Sequence, residues 1–339
     1  MKLILLLLPL FLFLNCTQVT SLNQVEHQYG EYPTKIVWLQ VEGLNDDHLA
    51  LIKYVSQSEN KTTHFEKSTC IGKIWNYNLY DIRPNAHLSF LSQVTGRKNY
   101  KGTCSDYKFK PLWSYFAGRG QKVAILEDAY TGKKSFLSQK CPQESKSFLQ
   151  DAVHLRMAKV SNENSPFFHR DKIDALQAGQ TYFDRSCQSG KCFSTFKENS
   201  ISLFEKFVTS GKSSLFIMRN FSYAHYLSSK NYKLAQKELL ELDQLVGYFQ
   251  EKANGREDIL FLVTSANGQK IHFPPQGKSW SQLVGKRSPL KTSKALMSSV
   301  FVSGASSENF CGVAEHSEVL RRIYAGSKKD LEYMFLIPL

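Results

Sequence analysis

Residues 258–268 read Asp-Ile-Leu-Phe-Leu-Val-Thr-Ser-Ala-Asn-Gly, and this stretch decides the fold. Five consecutive apolar residues, Ile259 to Val263, follow a charged, glycine-containing turn at 254–258. An uninterrupted apolar run bounded by a turn is the pattern of a strand buried on both faces, as in parallel sheets covered by helices. The run breaks at Thr264, Ser265, Ala266, Asn267 and Gly268. Residues just past the carboxyl ends of strands line the ligand crevice of open α/β sheets, so one wall of a site is expected here.

Working outward, the segment from Tyr232 to about Ala253 places Ala235, Leu239, Leu242, Val246 and Phe249 on one stripe of a 3.6-residue repeat, an amphipathic helix. Before it, Ser213 to Met218 reads as a strand ending at Arg219-Asn220-Phe221. Strand, helix and strand in that order predict a right-handed parallel crossover. Lys35 to Val41 reads as a first strand ending at Glu42, and the Asn45-Asp46-Asp47 cap leads into a helix over 48–56. Ala86 to Val94 is a short helix closed by Thr95-Gly96-Arg97, and Pro111 opens another with Leu112, Tyr115 and Phe116 inward. Lys122 to Leu126 is a further strand. A loop-rich insertion or cap is expected over about 141–200, a helix and a strand over 291–303, and a final helix over 315–324. One α/β domain over 34–339 accounts for this alternation.

The chain has 339 residues, a formal charge of +13 and 42% hydrophobic residues, so it can bury a sizeable core. A basic surface favours anionic partners such as lipid headgroups or an anionic glycan, but no RNA- or DNA-binding motif is present and no nucleic-acid partner is expected. The stretch Tyr100 to Trp113 interleaves aromatic and basic residues and reads either as a glycan or anionic-polymer surface or as a loop anchored by Cys104.

Lys2 and the apolar run Leu3 to Leu14 read as a secretion signal over 1–15, too short for a comfortable membrane span. Cys16 directly follows and resembles the lipidated cysteine of bacterial lipoproteins, with 16–33 as a tether. The expected location is the bacterial cell envelope, held to a periplasmic or outer membrane by the lipid, with plain secretion as the alternative. Beyond Cys16, six cysteines remain: Cys70, Cys104, Cys141, Cys187, Cys192 and Cys311. An even number in an exported chain points to three disulfides, with fifteen possible pairings. Cys187 with Cys192 is the pairing that a short glycine turn favours; Cys70 with Cys104 and Cys141 with Cys311 follow by elimination only.

The order of elements resembles the alkaline phosphatase superfamily, especially its sulfatase-like and phosphodiesterase-like branches. Residues 36–44 (IVWLQVEGL) resemble the first strand, which ends in Asp-Gly and supplies a metal-binding aspartate. Residues 83–96 (RPNAHLSFLSQVTG) resemble the helix that begins at the nucleophile, and 262–268 (LVTSANG) resemble the strand ending in Thr-Ser-Asp-His-Gly, whose Asp and His bind metal. The resemblance implies a three-layer αβα sandwich with a mainly parallel central sheet. It also implies hydrolysis of phosphate or sulfate esters by a nucleophile beside divalent metal, which stabilises developing charge.

This sequence departs from that pattern where the chemistry would sit. Ala266 and Asn267 stand in place of the Asp and His, and neither a methyl nor a neutral amide balances a dication. Glu42 stands for the aspartate, and near the nucleophile position lie Asn85, Ala86 and His87, none a hydroxyl. No catalytic residue, metal or other cofactor is therefore assigned. The expected function is non-catalytic binding of a ligand or an envelope protein in a cleft bordered by Glu42, Asn85, His87, Asn220, His225 and Asn267. The alternative is an active ester hydrolase with one rebuilt site for zinc, manganese or calcium, using Glu42, His225 and His316, or His87 in place of His316.

Overall fold

The computed structural model describes residues 33–55, 62–160, 165–168, 173, 175–189, 192–209, 211, 213–273 and 291–324. The expected signal and Cys16 lie outside these residues, as does all but the last residue of the expected tether. The strands are β1 (Lys35–Glu42), β2 (Cys70–Trp75), β3 (Lys122–Glu127), β4 (Val153–Arg156), β5 (Phe167–Phe168), β6 (Thr181–Asp184), β7 (Ser214–Asn220), β8 (Ile259–Ala266), β9 (Gln269–His272), β10 (Lys291–Lys294), β11 (Met297–Gly304) and β12 (Gly312–Glu315). Ten of them form one sheet in the order β12-β2-β11-β8-β1-β7-β3-β4-β6-β5, while β9 and β10 pair separately.

β1 is the sheet's axis, parallel to β7 on one side and to β8 on the other. β3, β4, β6 and β5 continue in parallel beyond β7. β11 runs antiparallel to both β8 and β2. β8 is buried along its whole length, as its apolar run requires. Alternate residues of the central strands point into two separate cores. Leu39, Met218 and Phe261 meet the stripe of the helix Tyr232–Ala253 (Leu239, Leu242, Val246, Phe249) on one face. Trp38, Ile217 and Leu262 meet the helices Ala86–Thr95, Leu112–Ala117 and Val319–Tyr324 on the other. The result is a three-layer α/β sandwich with a mixed, mostly parallel sheet.

Several local expectations change. The 141–200 stretch contributes β4, β5 and β6 to one edge of the main sheet. No helix forms at 291–303; β10 and β11 occupy it, because Val300, Phe301 and Val302 alternate between the two cores. The disulfides are Cys70–Cys311, Cys104–Cys141 and Cys187–Cys192. The pairings by elimination are thus corrected: Cys70 opens β2 and Cys311 immediately precedes β12, its parallel neighbour, so these two meet across the sheet. Among the described residues no helix is long and apolar enough to cross a membrane.

Candidate functional site

Parallel register brings the carboxyl ends of four strands together. Val41 lies opposite Asn220, Glu42 opposite Ala266, and Glu127 opposite Arg219. Directly after β1, Gly43 turns at φ +79, a conformation with little cost only for glycine. β8 carries its pairing on to Ala266, and the chain then kinks at Asn267, φ 54, a left-handed position that Asn tolerates, before running on into β9.

Thr264 and Ser265, expected to line the crevice, are instead fully buried. Trp38 Nε1 donates to Thr264 Oγ1 (2.8 Å), which donates to Gln93 Oε1 (2.7 Å), while Gln93 Nε2 donates to the Ser265 carbonyl (3.0 Å). Gln40 extends the network, donating to Gln93 (3.3 Å) and accepting from Arg219 Nε (3.1 Å). The groups of this network satisfy one another inside the sheet and hold its centre rigid, whereas the buried Ser265 Oγ has no hydrogen-bond partner among the described residues.

Beneath the strand ends lies a buried ionic cluster. Arg219 and Glu127 are both fully buried and paired through Nη1 and Oε1, with the guanidinium 3.5 Å from the centre of the Phe136 ring. His154 Nε2 lies 3.2 Å from Glu127 Oε2, and Phe136 N and Ser135 Oγ also donate to this carboxylate. Burial opposes ionisation of Glu127, but His154, Arg219 and Arg156 outweigh it and hold the carboxyl well below the usual range. The adjacent Asp128 does the reverse. It accepts from Phe221 N, Ser222 N, Ser222 Oγ and Tyr130 N, yet its burial pushes it up to about 6.

At the rim, Glu42 is ion-paired with Lys134 Nζ, which reaches it from the turn Gly132–Lys134. The Lys134 carbonyl accepts from Arg219 Nη2 (3.2 Å) and lies 3.2 Å from His87 Nδ1, whose Nε2 is 3.1 Å from the Tyr107 hydroxyl. Burial, reinforced by the Arg219 charge, lowers His87 to about 4, so the imidazole is neutral at pH 7. Asn85 caps the helix Ala86–Thr95, accepting from Leu88 N (3.0 Å). Asn220 Nδ2 donates to Glu238 (2.7 Å), a carboxyl raised to about 7 by burial and by Asp128.

The predicted site residues therefore divide. Glu42, Asn220 and Asn267 share the strand ends, and Lys134 links His87 to Glu42. Exposed His225 is stacked on Tyr130, ring centres 4.2 Å apart. His316 is buried beside the Ser265 backbone, where burial lowers it to about 3. Among the described residues no three His, Cys, Asp or Glu side chains meet in a metal-binding group, so Glu42, His225 and His316 do not converge.

The donor set does not fit a dication. Ala266 brings a methyl to the strand end beside Glu42, and the Glu42 carboxylate is already neutralised by an ammonium. Sequence reading missed Glu127, Asp128, Lys134 and Arg219. Glu127, Asp128 and Arg219 follow apolar strand runs, the signal that singled out Glu42. Lys134 lies in a turn 92 residues from Glu42 and has no local signature.

Neither a protein-family model nor a curated sequence matches the chain. Solved structures do. An alkaline phosphatase from the Antarctic bacterium TAB5 superposes with a TM-score of 0.62 at 15% identity, covering 88% of this chain and 99% of that one. A cold-active alkaline phosphatase from a psychrophilic Shewanella sp. gives 0.63 at 10% identity, over 87% and 100% of the two chains. The Thermus thermophilus alkaline phosphatase gives 0.61 at 9% identity, over 91% and 94%. The fold is that of the alkaline phosphatase superfamily. On this alkaline-phosphatase-like scaffold, the strand ends of the present chain hold a paired glutamate, a methyl and carboxamides. A variant of the TAB5 enzyme, by contrast, has been solved with Mg bound in its M3 site.

Proposed function

We propose that this protein is an exported, lipid-anchored and non-catalytic relative of the alkaline-phosphatase-like enzymes, using its crevice to bind a ligand or protein at the bacterial cell envelope. One observation carries the reading: Lys134 neutralises Glu42 while Ala266 occupies the neighbouring strand end. An ammonium supplies one positive charge and hydrogen bonds, but has no open coordination position with which to activate a nucleophile or polarise an ester. Beside it, Asn85 and neutral His87 offer no hydroxyl or thiolate. Three disulfides suit an oxidising compartment, and the apolar run before Cys16 supports export with lipidation.

The test is metal analysis of the purified full chain, with turnover assays on p-nitrophenyl phosphate, bis-p-nitrophenyl phosphate and p-nitrophenyl sulfate. Zinc, manganese and calcium are expected below stoichiometry, and turnover at background with each metal added. Metal-dependent turnover abolished by Glu42→Gln would overturn the proposal. Lipidation is tested by metabolic labelling with a fatty acid and its loss in Cys16→Ser.

A further inference from the structure

Outside the crevice, a cleft of about 510 Å3 opens between residues 107–118 and 147–151. Of the residues discussed above for the crevice, it shares only Tyr107. Its two walls are braced against each other. The Cys104–Cys141 disulfide joins the segments just ahead of them. Trp113 Nε1 donates to the Phe148 carbonyl (2.7 Å), and the Tyr107 and Trp113 rings meet Phe148 edge-on at 5.4 and 4.9 Å. The cleft is thus preformed, and a ligand entering it need not pay to order the walls.

The lining mixes three kinds of group. Lys108 and Lys110 are exposed, and among the described residues neither ammonium is ion-paired; they lie over the Phe109 and Tyr115 rings at 5.3 and 4.5 Å. Ser114, Gln150 and Asp151 add a hydroxyl, an amide and a carboxylate, and Phe109 adds apolar surface. Asp151 decides among anionic ligands, because a carboxylate in the lining repels dense polyanions such as nucleic acid while accepting hydrogen bonds from hydroxyls. A ligand that offers hydroxyls, an apolar ring face and an occasional anion satisfies all three.

We propose that this cleft binds an acidic oligosaccharide. Its carboxylate or sulfate groups reach Lys108 and Lys110, its hydroxyls reach Asp151, Gln150 and Ser114, and its apolar C–H groups pack on the lysine stems and the half-buried edge of Phe109. The proposal uses no group of the crevice other than Tyr107, which only walls the cleft, so it stands or falls separately from the non-catalytic reading.

The test is calorimetric titration of the full chain with a uronic-acid hexasaccharide, its sulfated counterpart, a neutral glucose hexasaccharide and a single-stranded DNA hexamer. At least one acidic hexasaccharide is expected to bind, about three- to tenfold more tightly than the neutral one, with the preference lost in Lys108→Ala/Lys110→Ala. Ser114→Trp, which fills the cleft, is expected to abolish binding of every sugar. Both variants should unfold thermally like the parent, and the two exposed lysines test the proposal even if Ser114→Trp fails to fold. Absence of binding by both acidic sugars, binding that survives Ser114→Trp, or DNA binding as tight as the sugars and equally sensitive to Ser114→Trp would each overturn it.

Discussion

Two ion pairs stand a strand apart at the same end of the sheet and do opposite things. Glu127–Arg219 is sealed from water on both sides, whereas Glu42–Lys134 joins a buried carboxylate to a lysine with 37% of its side chain exposed. The sealed pair is surrounded by further partners: His154, Ser135, Gln40 and the Lys134 carbonyl. Such a pair is costly to break because the survivor stays buried and charged. The rim pair keeps access to solvent, so under the proposed function it is the pair that a ligand would reach. The comparison separates the pair that holds the strand ends together from the pair that faces solvent.

The largest expected effect comes from breaking the sealed pair. Glu127→Ala should cost about 3–5 kcal/mol in chemical denaturation by stranding Arg219. Because the folded carboxyl of Glu127 lies below its ordinary value, its stabilisation is complete above about pH 4.5 and fades as pH falls below that. Glu238 should give the opposite slope. Its folded carboxyl sits at about 7, so its contribution is full below about pH 4.5 and declines as pH rises towards 7. Glu238→Gln, which can still accept from Asn220, should therefore stabilise the protein at pH 8 by on the order of 1–3 kcal/mol and flatten the loss between pH 5 and 7. A stability curve unchanged by this substitution would mean that the crevice does not strain its own carboxylates.

Lys134→Met should cost less, about 1–2 kcal/mol, since Glu42 can regain some solvent once its partner is gone. Smallest of all is the response to salt. In double-mutant cycles the Glu42–Lys134 coupling should shrink by roughly half a kcal/mol or less in 1 M NaCl, while the Glu127–Arg219 coupling stays put. Equal couplings, equally screened, would erase the distinction between the two pairs.

Much of the framework is legible in the sequence because burial on both faces leaves an unbroken apolar run. β8, β7, β3 and β1 carry that signature, and the helix Tyr232–Ala253 carries its stripe. β2 lacks that signature because it lies near the sheet's edge, where Ile71 and Trp75 are exposed, Lys73 is half-buried in an ion pair with Asp46, and Gly72 interrupts the pattern. Gly72 is required there: a Cβ would come within 2.2 Å of the Phe310 carbonyl oxygen. The site was legible only in part. Glu42 and Ala266 stand on strands whose ends the sequence marks, whereas the lysine that neutralises Glu42 arrives from a turn through tertiary packing alone. The same holds for the disulfides, where Cys70 and Cys311 are 241 residues apart and are joined by strand pairing.

Ala266 has a consequence for what substitution at this strand end can achieve. Its side chain is wholly enclosed. Placing an aspartate there would put an unsolvated negative charge beside one that Lys134 already satisfies, at a penalty of several kcal/mol until a metal arrived. A metal, in turn, would gain little until that aspartate existed and the lysine had withdrawn. Each step is unfavourable without the others, so no single substitution at this strand end would by itself create a site for a dication.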